Sequence, residues 1–507
     1  MSTLWLIILF PILTGITTLF TKSHKIRKIL LLICSVVHMA LTVFICQGSI
    51  TPATESWFTT DALTKIFLSI TSLLYFGASL YALTYLKPDE DGDQPSALLD
   101  LSFLRNKNAV FMGCMHFFLA AMTLSIVSAH FGLQWIGVEA TTLASTPLIY
   151  HHRNKKSLEA AWKYLIICSV GIALALMGIF FLAMAVPAQV EFFTPRGLSK
   201  FAGYLRTDWL QVAFIFVLVG YGTKVGFAPM HTWLPDAHSE APSPASALLS
   251  GALLNCALLA ILRVYQVCAE IPAVQTLASE LFVLFGLVSM AISGIFIMHQ
   301  ADYKRMLAYS SVEHMGVMAF GFGLGKVAVA AALFHAICHS LIKSSLFMLA
   351  GNILSAYQTK KVEKIHGLLR TMPVTSVLWL AGFLAITGTP PFGTFMTEFS
   401  ILKTAVESRN YLFGALYLLF LVLVFVGMLT IFSTMALGKK MTVNSEGQPI
   451  DYKELNLRKD GTIYEHPLQY ITPIIFLAAA LYLGCNIPEP ILQTINEASA
   501  ILGGKAL

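Results

Sequence analysis

The chain has little charge. Only 12% of its 507 residues are Asp, Glu, Lys or Arg, against ~25% in an ordinary soluble domain. That scarcity excludes a soluble globular enzyme and a disordered chain, both of which need charge to stay solvated. It also excludes a nucleic-acid binder, because phosphate recognition rests on dense lysine and arginine. Grouped cysteines are missing as well. Cys34, Cys46, Cys114, Cys168, Cys256, Cys268, Cys338 and Cys485 contain no CxxC spacing, and most lie in apolar runs. Iron–sulfur and structural zinc centres need clustered thiolates, and a disulfide framework is equally unsupported. The expectation is therefore no cofactor, no metal set and no catalytic residue in this chain.

What is present is apolar. Hydrophobic residues make up 56%, enough for about fourteen spans at ~20 residues each. The runs predict helices near 4–20, 29–46, 61–86, 108–129, 131–150, 158–185, 209–230, 243–266, 277–298, 307–324, 327–355, 372–405, 411–437 and 468–485. The first lacks a basic leader and a small-residue cleavage site, so it reads as a helix and not a signal peptide. The twelfth is interrupted by Gly388, Pro390 and Pro391. The net charge of +6 collects in alternate loops: KSHKIRK, then Lys87, Arg105 and Lys107, then HHRNKK, Lys304 and Arg305, TKKVEK and Arg370, and the last long loop. The opposite loops hold only Arg196, Lys200, Arg206, Lys326 and Arg409. By the positive-inside rule the first set is cytoplasmic, which places both termini outside. Segments 87–107 and 438–467 read as surface loops, too short to bury a core. The chain is thus one all-α, polytopic membrane domain over 1–507.

Some charge nevertheless sits inside the apolar runs. A lysine at the bilayer centre costs ~2.5–3.5 kcal/mol on insertion scales. Lys65, Lys403 and Arg263 lie near helix ends and are expected to snorkel to the headgroups. Lys163 follows Glu159 by four residues, an ordinary intrahelical pair, and is a candidate relay. Glu139 in HFGLQWIGVEATTLASTPLIY and Lys224 in FIFVLVGYGTKVGFAPMHTWL are alone on their helices. Gly220, Gly222, Gly226 and Pro229 make the Lys224 helix a candidate for unwinding, and a broken helix at membrane depth lines a polar path. His335, His339 and Lys343 in LFHAICHSLIKSSLF recur at spacing four, forming one polar stripe; His116 is a further intramembrane histidine. A zinc site on this stripe would have lysine as its third ligand, a poor one, so a proton relay is the better reading. Glu398 follows the break in AITGTPPFGTFMTEFSIL. Paired interruptions in the seventh and twelfth helices suggest two inverted five-helix repeats, about 108–266 and 277–437, after a first segment of about 1–107 and before a last helix and tail at 438–507. GFGLGK at 321–326 bridges two membrane helices and is not a nucleotide loop. The stretch HTWLPDAHSEAPSP, with His231, Asp236, His238 and Glu240, reads as a loop that could line a proton entrance.

The segments GYGTKVGFAPMHTWLPDAHSEAPSPASALLSG, QADYKRMLAYSSVEHMG, HAICHSLIKSSLFMLAGN and TGTPPFGTFMTEF resemble the antiporter-like membrane subunits of respiratory complex I, Mrp cation/proton antiporters and membrane-bound hydrogenases. The likeness runs over about 105–435 and is strongest to the component F type of hydrogenase-4. It implies fourteen helices, a bacterial or archaeal inner membrane, and partners among other membrane subunits and peripheral redox subunits. It also implies proton transfer through Glu139, Lys224, His335, His339, Lys343 and Glu398. Where many members carry a lysine on the eighth helix this chain has Asn255, so the relay there would pass through water, Glu313, His314 or the histidine stripe. The chain would then be the proton-translocating part of a redox-driven complex. Part of a sodium/proton antiporter, the proton-coupled part of an inorganic carbon transporter, and an inactive scaffold are the alternatives.

Overall fold

The computed structural model describes residues 2–48, 57–87, 106–187, 193–438 and 462–507. The expected surface loops at 87–107 and 438–467 fall almost wholly outside the described residues. Among the described residues the regular elements are all helical. In chain order the main ones are α1 (Ser2–Phe20), α2 (His24–Gln47), α3 (Ala62–Tyr85), α4 (Lys107–Val127), α5 (Phe131–Ile149) and α6 (Lys155–Ala185). Next come α7a (Thr207–Val225), α7b (Trp233–Glu240), α8 (Ser243–Cys268), α9 (Pro272–Ile297), α10 (Tyr303–Leu324) and α11 (Val327–Tyr357). The series ends with α12a (Pro373–Ile386), α12b (Gly393–Glu407), α13 (Tyr411–Ala436), α14 (Pro467–Cys485) and α15 (Glu489–Ile501).

Every apolar run read from the sequence falls on one of these helices. By length and composition, eleven are long and apolar enough to cross a membrane, against the fourteen expected. The remainder are α5, α10 and the two pieces of α12. The first two are diluted by their own polar residues, Gln134 and Glu139 on α5 and Lys304, Arg305, Glu313 and His314 on α10. The α12 pieces are short because the helix is broken.

The helix starts follow from side-chain caps. Asp61 accepts from the Thr64 amide (3.0 Å) ahead of α3, Asn106 from Ala109 (2.8 Å) ahead of α4, and Asn154 and Ser157 form a reciprocal capping box on α6. Such caps satisfy amides that have no intrahelical acceptor. α2 starts five residues earlier than expected, at His24, so much of the basic KSHKIRK segment is helical. Within it, Lys28 donates to the carbonyls of Leu83 (2.7 Å) and Leu86 (2.9 Å) and so caps the end of α3. Two expectations are corrected more substantially. Part of the stretch read as the loop HTWLPDAHSEAPSP is the helix α7b. The tail after α14 also contains α15, which packs on α3 and α11.

α8 forms the centre of the bundle, with every residue of its span buried, whereas α1, α2, α6, α13 and α14 keep most of their surface outward. α6 and α7a meet closely through Gly171, Gly178 and Gly220. A side chain at Gly220 would collide with the backbone of Ala175, so this glycine serves packing. Ion pairs hold the two ends of α8's surroundings. Beside its start, Asp236 of α7b meets Lys163 (3.0 Å) and Arg305 (3.2 Å), Glu240 meets Lys360 (2.6 Å), and Ser239 donates to Asp302 (3.0 Å). Near its other end Arg263 makes a two-pronged bond to Asp61 (2.5 and 2.7 Å) and a third to Thr64 (2.8 Å). Arg263 is therefore an interior ion-pair partner, not the snorkelling residue expected. Its position one turn from the helix end hides the fact that the N-cap of α3 reaches it.

Burial alone would raise the Asp61 pKa. The Arg263 charge and hydrogen bonds, with the Thr64 amide, overcome that and hold it down to about 2. A depressed carboxylate contributes stability in full above its unfolded value of ~3.9 and loses it as pH falls toward the folded value. Asp61→Asn, which leaves a buried guanidinium without its counter-charge, is expected to cost about 3–5 kcal/mol. Thermal unfolding in detergent at neutral pH reads that loss directly. The deficit relative to wild type should shrink between ~pH 4 and pH 2; a constant deficit over that range would show that the ion pair is not its source.

Candidate functional site: a buried polar axis

Lys224 is the penultimate residue of α7a and has no exposed surface. The helix stops one residue later because Gly226 adopts φ +87°, a left-handed conformation that suits glycine. Several of the freed backbone groups find partners nearby. Gly226 and Phe227 amides return to the Gly222 carbonyl (both 2.9 Å), the Trp233 indole donates to Thr223 (2.8 Å), and the Ala228 amide donates to the Ser289 hydroxyl (2.9 Å). The expected interruption is thus present at Gly226–Pro229, while Gly220 and Gly222 stay helical.

The Lys224 ammonium donates to the Val138 carbonyl (3.0 Å) and to the Thr142 hydroxyl, and it lies 5.8 Å from the centre of the Tyr164 ring. The Thr142 hydroxyl in turn donates to Glu139 (3.4 Å), whose other oxygen accepts from Ser169 of α6 (3.3 Å). Lys224 and Glu139 are therefore joined through one hydroxyl and are not in direct contact. Glu139 is half-buried, between Ile136 and Leu143, which are 51% and 60% exposed. A carboxylate at this depth on an open apolar face is a polar group without solvent.

On α8, Asn255 donates to Gly251 (2.8 Å) and to the Ser340 hydroxyl of α11 (2.8 Å), while its own carbonyl oxygen is buried without a partner. Ser250 and Ser311 also meet here (2.8 Å). α8 therefore meets α10 and α11 through an amide and hydroxyls.

The stripe itself converges with α10 and α12b. His314 Nδ1 and His335 Nε2 are 3.0 Å apart, and His335 Nδ1 is 2.8 Å from the Thr397 hydroxyl. Thr397 spends its proton on the Thr394 carbonyl (2.7 Å). It must accept from His335, so His335 carries its proton on Nδ1 and offers a lone pair at Nε2. His314 then donates from Nδ1, and a neutral His314 ring turns its own lone pair at Nε2 toward Glu313, 3.2 Å away. Hydrogen counting thus orients the string from His314 through His335 to Thr397, while His314 Nε2 and Glu313 Oε2, though 3.2 Å apart, are each buried without a hydrogen-bond partner. Lys343 donates to the Leu307 carbonyl (2.7 Å). Both nitrogens of His339 and one oxygen of Glu398 are buried without partners. Together with His231 Nδ1, His238 Nε2 and Asn255 Oδ1 they form a set of unpaired atoms of the kind that hold ordered water.

Other sequence-derived candidates lie elsewhere. Lys163 is 45% exposed and pairs with Glu159 (2.6 Å) and Asp236 at the end of the bundle. His231 lies at the α7 break against Tyr309, with ring centres 6.0 Å apart. His116 packs near Tyr75 among the first four helices, away from the axis. Lys403 is exposed and 3.8 Å from Glu407. Lys304, read as a loop residue, has no exposed surface and donates to the Ala241 carbonyl (2.7 Å). Thr142, Ser340 and Thr397 escaped the sequence reading. Thr142 was findable, because it follows Glu139 by three and so shares its helix face. Thr397 was not, because its role depends on which imidazole reaches it.

A family profile described as NADH:quinone oxidoreductase/Mrp antiporter, transmembrane, matches residues 128–427. The chain is 37% identical over 406 residues to the hydrogenase-4 component F homolog of Methylacidiphilum infernorum (isolate V4), covering 79% of this chain and 83% of that protein. It is 30% identical over 351 residues to hydrogenase-4 component B of Escherichia coli (strain K12), covering 67% of this chain and 49% of that one. It is also 30% identical over 403 residues to one of the subunits of the Na(+)/H(+) antiporter of Alkalihalophilus pseudofirmus, covering 75% of this chain and 48% of the relative. Its fold is similar to a chain of an archaeal membrane-bound sulfane sulfur reductase (TM-score 0.83, 18% identity, 99% of this chain and 98% of that chain). A chain of the Mrp complex from Dietzia sp. DQ12-45-1b is similar too (TM-score 0.82, 18% identity, 99% and 97%).

The anchoring of α7b is testable. Asp236→Ala removes its contacts to two half-exposed cations, each a modest interaction. Hydrogen exchange of the Trp233–Glu240 amides should accelerate about fivefold, with α8 unchanged. Equal protection in the variant would mean that packing alone seats α7b.

Proposed function

The chain belongs to the NADH:quinone oxidoreductase/Mrp antiporter membrane family, and from that premise we propose that it moves protons across a membrane as one member of a larger complex. The carrying observation is the set of proton-bearing and hydroxyl groups inside the bundle: half-buried Glu139 joined to buried Lys224 through Thr142, Asn255 bonded to Ser340, and the buried His339, Lys343, His314, His335 and Glu398. The basic loops support an orientation with the Asp236–Lys163 end in the cytoplasm of a bacterial or archaeal cell and both termini on the other side of its inner membrane. The breaks in α7 and α12 then mark two inverted repeats, each contributing half of the path.

Lys224 takes a proton from the cytoplasmic side. A nearby carboxylate stabilises the ammonium, and separation of the two destabilises it. Thr142 sits between Lys224 and Glu139 as the hydroxyl through which that coupling changes. A membrane potential of ~150 mV opposes each charge by ~3.5 kcal/mol. Making and breaking one partly buried ion pair is worth ~1–3 pKa units, or ~1.4–4 kcal/mol. One pair can therefore drive one proton. The motion of Glu139 must come from outside the chain, and the half-open face of α5 around it supports contact there with other membrane subunits. Relatives named as hydrogenase-4 components support peripheral redox subunits as the energy source. The Na(+)/H(+) antiporter relative supports a second reading, in which an ion gradient takes that place.

In vesicles containing the assembled complex, Lys224→Ala should abolish coupled proton transfer while the full set of subunits stays in place. Glu139→Gln should reduce transfer at least tenfold, about 1.4 kcal/mol. Normal proton transfer in an assembled Lys224→Ala complex would refute this function.

A further inference from the structure

Three ligand-bearing side chains from three different helices converge in the α10–α11–α12b cluster. One nitrogen each from His314 and His335 and one oxygen from Glu398 all lie within 4.8 Å of one another, and all three residues are buried. The facing nitrogens, His314 Nδ1 and His335 Nε2, are 3.0 Å apart. Two imidazoles on a tetrahedral zinc at ~2.0–2.1 Å would stand ~3.3 Å apart, so the rings are within a few tenths of an ångström of ligating distance. The remote nitrogen of His335 is also addressed as metal-bound histidines require. His335 Nδ1 is held by Thr397 (2.8 Å), and His314 Nε2 faces the Glu313 carboxyl (3.2 Å). A separate observation points the same way: Glu398 Oε1 and both nitrogens of His339 are buried with no hydrogen-bond partner, and the His339 ring centre is 5.1 Å from that of His314. The histidine stripe considered by itself offers His335, His339 and Lys343. The fold replaces the lysine with a second-helix histidine and a carboxylate.

We propose that His314, His335 and Glu398 form a binding site for a divalent cation of the zinc class, and that its occupancy shuts the proton axis. Two neutral imidazoles and a carboxylate suit that class, with His339 or a water as fourth ligand. The Glu398 and Glu313 carboxylates balance the double charge. The cation takes the place of the proton between the two rings. That proton moves to His314 Nε2, so both imidazoles stay neutral. The string from His314 to Thr397 then has no mobile hydrogen at its centre, and three helices are tied to one atom. The blocking half of the proposal rests on the proton-transfer reading above; the binding half does not.

Cobalt titration of the intact purified complex tests the binding half without reference to activity. One equivalent of Co(II) should give the intense visible absorption of a tetrahedral site, displaceable by Zn(II). Glu398→Gln and His314→Gln should each abolish that signal. Thr397→Val, which removes only the support of His335, should weaken binding ~10–100-fold. Absence of stoichiometric binding, or a signal that survives both ligand substitutions, would overturn the site. In vesicles, Zn(II) at saturation should stop proton transfer in wild type, and chelation should restore it. Full transfer by a loaded complex would overturn the blocking role. Loss of transfer in Lys224→Ala would then still stand as a separate result for the axis itself.

Discussion

A polar atom enclosed by hydrocarbon has no solvent to fall back on, and this constraint organises the whole interior. The buried lysines are each satisfied by another element: Lys224 by a carbonyl and a hydroxyl of α5, Lys343 by a carbonyl of α10, Lys304 by Ala241, the residue after α7b. The helix breaks obey the same requirement. At the Gly226–Pro229 break the amides of Gly226, Phe227 and Ala228 are taken up by the Gly222 carbonyl and Ser289, and the Thr223 carbonyl by Trp233. The interruption is thus a stable piece of architecture, and the ammonium beside it can change partners without unravelling the helix.

The bonding differs by depth. At the two ends of α8 the helices are fastened by full ion pairs, Asp61 with Arg263 at one end and Asp236 and Glu240 with their cations at the other. Between them direct opposite-charge contacts are replaced by hydroxyls, an amide and imidazoles. Such groups both donate and accept, and they reverse direction by rotation or tautomer exchange at little cost. A framework rigid at its rims and reorientable at its middle suits a path that must conduct without the bundle coming apart.

Much of this was legible in the sequence. Lys224 and Glu139 stood out because each is a lone charge in an apolar run, and His335, His339 and Lys343 because their spacing puts them on one stripe. Those are statements about one helix. What stayed hidden were statements about pairs. Arg263 looks terminal until Asp61 is brought to it, and Lys304 looks like a loop cation until α10 is seen to begin one residue before it. The α7b segment is short, polar and proline-bearing, so no apolar period announces it. The direction of the His314–His335–Thr397 string depends on where Thr397 sends its hydrogen, which periodicity cannot report.

α8 contains one feature whose effect reaches further than its size. A π-turn at Leu249–Leu253 lies immediately ahead of Asn255. Such a turn accommodates one surplus residue, and one residue of helix rotates everything beyond it by ~100°. The face that Asn255 presents to Ser340 is therefore set by chain length as much as by side-chain identity. Exchanging residues along α8 alters what the centre of the molecule is made of. Removing a single residue from that turn would alter where it points, so the middle of the conduit is more vulnerable to an insertion or deletion than to most replacements.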